Sequence, residues 1–174
     1  MCSRIIAGIV VSVAAVAAIT DVREHRIPNR LTYPAMLAGL AMQAVCFGWH
    51  GLLSSLAGGL VAGGILVLFY VIRAMGAGDV KLAAALGFMV GFKDVIQLLA
   101  ATAIAGGILA LGFMVVQRRV RETLRNAYSV VSFHAVAGLQ EHPTVNLGNP
   151  QAARMPYGLA FVAGTLYWAS CVLF

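Results

Sequence analysis

The sequence predicts an all-α protein that crosses a membrane several times, and three features predict it. Of 174 residues, 61% are hydrophobic and only 10% are charged, too few charges to cover the surface of a soluble domain of this size. The apolar residues form continuous runs rich in Leu, Ala and Gly, separated by short polar breaks. Those runs lack the period-2 alternation of a membrane barrel, which leaves helices to satisfy the backbone in lipid.

A spanning helix needs about 20 apolar residues. Six runs qualify, at 5–19, 31–47, 52–71, 80–91, 95–116 and 157–172, and they predict one membrane domain over residues 1–174. The first, with Arg4 before it and Ala15-Val16-Ala17 near its end, has the outline of a cleavable signal peptide. Arg23, Arg26 and Arg30 outweigh Arg4, however, so its downstream end is held in the cytoplasm and the segment is expected to remain as a span. The third run carries the small-residue pair Gly59/Gly63, and the fourth carries Gly87/Gly91. Such pairs let helices approach closely, within one chain or between copies. The fourth run is short, which predicts a helix seated against its neighbours rather than lipid. Between the fifth and sixth runs lies a polar cytoplasmic loop, 118–155. There Val120, Leu124, Ala127, Tyr128, Val131 and Ala135 recur at helical spacing, with Arg118, Arg121 and Arg125 on another face. An interfacial helix on anionic lipid and a plain loop with topogenic charge both fit this pattern. His134 and His142 lie here without a second ligand at metal spacing, so no metal or other cofactor is expected.

Six spans with both termini on the non-cytoplasmic side leave only Arg4 and Lys93, of 12 Lys and Arg, outside the cytoplasm. The inverse orientation would break the positive-inside rule almost throughout. The net charge of +6 is therefore topological, and no nucleic-acid partner is expected. Cys2, Cys46 and Cys171 are far apart and read as small packing residues.

The chain has only 6 acidic residues, and two of them sit at span ends. Asp21 follows the first run, in Thr20-Asp21-Val22-Arg23-Glu24-His25-Arg26-Ile27-Pro28-Asn29; Asp79 precedes the fourth, in Gly76-Ala77-Gly78-Asp79-Val80-Lys81-Leu82. Two crossings separate them, so both are expected at the cytoplasmic boundary. Singly, Asp21 reads as a loop residue and Asp79 as a helix N-cap. Together they read as a dyad. Two carboxylates a few ångströms apart share one proton and titrate as a unit. The ionised member activates a water and the protonated member donates to a scissile carbonyl. Ionisable groups at membrane depth also carry ions in transport proteins, so a proton- or ion-translocating subunit is the non-enzymatic alternative.

The pattern Gly-x-Gly-Asp-x-Lys-Leu at Gly76, Gly78, Asp79, Lys81 and Leu82, preceded by Asp21 and by Arg26-Ile27-Pro28-Asn29-Arg30-Leu31-Thr32, resembles the type IV prepilin peptidase family. Met155-Pro156-Tyr157-Gly158 resembles that family's Pro-aromatic-Gly motif. Presenilin and signal-peptide-peptidase proteins also carry GxGD, but with a Tyr-Asp motif that Thr20-Asp21 does not match. The resemblance implies an aspartic endopeptidase of the bacterial inner membrane, removing the basic leader of prepilins after a glycine at the cytoplasmic face. By motif position Asp21 and Asp79 are the catalytic pair. Gly76 and Gly78 shape the site, together with Arg26, Pro28, Asn29 and Lys81. Lys81, Arg26 or Arg30 is placed to hold an acidic residue near the mature N-terminus. The chain has neither the added cytoplasmic region nor the CxxC pairs of larger members, so it resembles the short branch serving Flp/Tad-type pili. That gives no ground for methyl transfer.

Overall fold

Runs of Ala, Leu and Gly with few breakers form helices in a computed structural model that describes residues 2–24, 26–72, 75–116 and 157–173. Helix α1 is Cys2–Glu24, α2 is Asn29–Val71, α3 is Ala77–Val90, α4 is Phe92–Val116 and α5 is Gly158–Leu173. Among the described residues, α1, α2 and α4 are long and apolar enough to cross a membrane, and α5 is a shorter apolar helix. The chain is thus a polytopic all-helical membrane protein. The loop 118–155, with its two histidines and its interfacial-helix reading, lies outside the described residues.

The 43 residues of α2 are two arms, broken at Gly48 (φ 63°, ψ −146°). Contacts with α3 show that the arms run in opposite directions. Along the first arm, Asn29 bonds Lys81 while Gln43 donates to the Met89 carbonyl at 2.7 Å. Along the second, Ser54 accepts from the Phe92 N–H at 3.0 Å, Ser55 donates to the Phe88 carbonyl at 2.5 Å, and Gly63 lies beside Ala84. The second arm therefore returns to the end where the first began, with α3 between them. The two separate apolar runs expected at 31–47 and 52–71 are these arms.

At 14 residues, α3 spans only about 21 Å, short of the roughly 30 Å of a hydrocarbon core. Protein surrounds it instead: Leu82, Ala83, Ala85, Leu86 and Met89 are fully buried. Gln43 and Ser55 satisfy carbonyls at its C-terminal end that water cannot reach. A Cβ on Gly87 would lie 2.5 Å from the Gly58 carbonyl oxygen, so this glycine pair serves packing within the chain. On the other side of the bundle α1 packs on α5, and α5 on α4, where Gly106 faces Ala160. The start of α1 and the end of the first arm of α2 also bring the distant Cys2 and Cys46 into hydrogen-bond contact, as free thiols.

Gly48 has open space around its missing Cβ, so its requirement is conformational. At this φ and ψ, a region essentially reserved for glycine, another residue costs about 1–3 kcal/mol. Gly48→Ala is expected to lower stability by that amount in detergent unfolding, with the active site at the opposite end unaffected.

Candidate active site

Asp21 and Asp79 come from different helices and meet at one end of the bundle. Asp21 is buried (9% exposed) near the C-terminus of α1. It accepts a hydrogen bond at 2.8 Å from the Gly158 N–H, the first residue of α5 and 137 positions away in sequence. That N–H is one of the donors at the start of α5 that have no partner within their own helix. Gly158 has no room for a side chain: a Cβ there would lie 2.8 Å from the Ala18 Cα and 3.1 Å from the Asp21 Cβ.

Asp79 is the third residue of α3, whose N-cap is Gly76. It is therefore not the N-cap that the isolated reading allowed. Its carboxyl turns back to accept from the Gly76 backbone N–H, one half of a capping box. A Cβ on Gly76 would lie 3.2 Å from Asp79 Oδ2, so Gly76 is a wall of the site. Gly78 acts differently, its missing Cβ facing Ile27 at 3.2 Å in the turn between α1 and α2. That contact seats the α1–α2 turn against the start of α3 and so brings the two aspartate helices together.

Asp79 stands at the boundary turn, ahead of the apolar run 80–91. Burial first, and then the charge of Asp21, push its carboxyl up to about 6 from an ordinary value of 3.8, against the opposing pull of the Gly76 bond. Because the folded value is raised, folding favours the protonated acid. A stability penalty therefore builds between about pH 4 and pH 6 and persists above. Asp79→Asn should be more stable than the parent at pH 8 by about 1–2 kcal/mol, allowing for solvent screening, and indistinguishable from it at pH 4. Equal stabilities at pH 8 would contradict the coupling.

The other sequence-predicted residues lie in the turn between α1 and α2 and in the first turns of α2 and α3. Lys81 Nζ donates to Asn29 Oδ1 at 2.9 Å and lies 5.3 Å from the Tyr33 ring centroid. Pro28 is the N-cap of α2, with its carbonyl accepting from Leu31 and Thr32. Arg26 and Arg30 are exposed. Asn29 and Lys81 thus tie α2 to α3, while the arginines remain available at the surface.

Gly158 and Tyr157 were not singled out as site residues from the sequence. Tyr157 lies within reach of the Asp79 charge, and its carbonyl caps α5 by accepting from Ala160 and Phe161. The signal for both was the Pro-Tyr-Gly motif at the start of the last run, which by itself does not say what it touches. Among the described residues no cluster of His, Cys, Asp and Glu is arranged to hold a metal.

Comparison with known protein families matches residues 8–111 to the Type IV leader peptidase family, more than half of the chain and including both aspartates. No curated protein and no solved structure matches.

Proposed function

This chain belongs to the type IV leader peptidase family and is an aspartic-type prepilin leader peptidase, and we propose that Asp21 and Asp79 are its catalytic pair. Asp21, held by the Gly158 N–H, is the ionised base; Asp79, buried beside it, is the protonated acid. Asp21 takes a proton from a water whose oxygen attacks the scissile carbonyl, while Asp79 donates its proton to that carbonyl oxygen. The tetrahedral intermediate then collapses as the proton on Asp21 passes to the leaving amine, and Asp79 recovers its own. One observation supports this reading: the charge of Asp21 reaches the Asp79 carboxyl at one end of the bundle, with Asp21 held by the N–H that opens α5 and Asp79 by the N-cap N–H of its own helix.

The reading further takes six crossings with both termini outside, an orientation that the excess of Arg and Lys supports, and so a dyad at the cytoplasmic face of a bacterial inner membrane. The substrate we propose is the precursor of an Flp-type pilin, cut after a glycine that ends its basic leader. Arg26 and Arg30, both exposed, are the nearer candidates to pair with an acid in the mature N-terminus, since Lys81 is engaged by Asn29 and Tyr33.

The test is co-expression with an Flp-type pilin precursor. A leader-sized mobility shift, with the new N-terminus directly after glycine by mass spectrometry, is the expected result. An uncut precursor beside a cut longer type IV prepilin would reject the Flp assignment, and no cut in either would reject the activity. The rate is also expected to fall as pH rises through about 6, because Asp79 loses the proton it must donate. A rate that climbs across that window would reverse the acid and base assignments.

A further inference from the structure

Below the aspartates, an apolar groove of about 600 Å³ opens between the second arm of α2, α4 and α5. Its α4 wall is made of small residues at helical spacing, among them Ala100, Ala103, Gly107 and Ala110. Gly107 has nothing within 4 Å of its missing Cβ, so this wall is open. The wall's hydroxyl, Thr102, is spent on the Leu98 carbonyl at 2.8 Å. Along its length the lining therefore has no free hydroxyl donor. At one end it changes character: the lining there includes Met75 and Tyr157. Met75 immediately precedes Gly76, whose N–H holds Asp79, and Tyr157 immediately precedes Gly158, whose N–H holds Asp21. The groove thus ends on the two backbone segments that position the dyad.

We infer that this groove is a substrate-binding site for a single transmembrane helix of the precursor, the segment on the carboxyl side of the cut, delivered laterally from lipid with its end at the dyad. The inference rests on the leader-peptidase reading above and names the part of the substrate that reading leaves unplaced. A peptide at this depth must satisfy its own backbone, because Thr102 and the terminal Tyr157 are the only polar side chains of the lining, and a helix does so. Small residues along α4 let such a helix approach closely, where larger ones would hold it off. Lipid reaches the groove from the side, as the exposed Ile104 and Ile108 of α4 and Phe69 of α2 indicate. The helix must unwind as it leaves the groove, since a carbonyl within a helix is bonded and shielded; Tyr157 and Met75 stand where that unwinding occurs.

The experiment places a photo-crosslinking amino acid at Ala103, and separately at Ile108 (64% exposed), in the full chain carrying Asp79→Asn, co-expressed with the prepilin in membranes. The expected result is an adduct from position 103 to the apolar helix of the prepilin, at least tenfold over position 108. A second arm keeps Asp79 and fills the groove with Ala103→Leu and Gly107→Leu. The KM for full-length prepilin should rise at least tenfold while kcat changes less than twofold. Equal adducts from 103 and 108, no adduct from 103, or an adduct from 103 to the chain's own 118–155 segment would overturn the inference, as would an unchanged KM. If the parent enzyme fails to cut the prepilin at all, the catalytic reading falls instead, and the adduct still reports on the groove.

Discussion

Asp21→Asn and Asp79→Asn are each expected to reduce leader cleavage by about 10³-fold or more, and the double variant is expected to be no worse than either alone. General acid and base groups each contribute about 10²–10⁴-fold, and groups acting as a unit are not additive. The geometry makes the two losses different in kind. Asparagine at 21 keeps an acceptor for the Gly158 N–H, so the α1–α5 contact persists while the base is gone. Asparagine at 79 keeps a neutral side chain beside Asp21 but has no proton to give. The assay is a prepilin mobility shift in membranes, with folding checked by thermal unfolding of each purified variant. Cleavage within tenfold of the parent by either variant would remove that aspartate from the chemistry. Additive losses in the double variant would mean that the two carboxyls act separately.

The second large effect is at Gly158. An alanine there would bring its Cβ to 2.8 Å from the Ala18 Cα and 3.2 Å from Asp21 Oδ2. Contacts under 3 Å to backbone force α5 away from α1, and that motion withdraws the N–H that holds Asp21. Displacing a reacting group by about 1 Å costs on the order of 10²-fold in rate, so Gly158→Ala should lower kcat by roughly that factor. Gly8→Ala, on the same helix as Asp21 but with nothing within 4 Å of the new carbon, is the matched control and should leave the rate unchanged. A Gly158→Ala enzyme of full activity would show that the 2.8 Å bond does not position the base.

The sequence carried the helices and the position of the aspartates along the chain because both are written in local, one-dimensional quantities. Apolar run length sets where a helix must bury itself, and each of the six runs falls on a helix or a helix arm in the structure. The GxGD and upstream Asp motifs could be read as one site because an even number of runs lies between them. The reversal between the second and third runs was legible in the polar gap at 48–51; what was hidden is that the chain turns through one non-helical residue, Gly48, rather than through a loop. The single-residue reading of Asp79 as an N-cap fails because the helix begins three residues before the apolar run, a boundary that Gly76 and its bond to Asp79 decide.

Composition, run length and charge asymmetry alone determined that this is a helical membrane protein with two acids at span ends, since burial in lipid acts on each segment separately. What only the tertiary structure decided is who holds those acids: the Gly158 N–H on Asp21, the Gly76 N–H on Asp79, Ile27 against Gly78, and Lys81 tied to Asn29. All but the local Gly76 bond join separate segments, up to 137 residues apart. A hydrogen bond depends on a few tenths of an ångström in three dimensions, which no periodicity along the chain records.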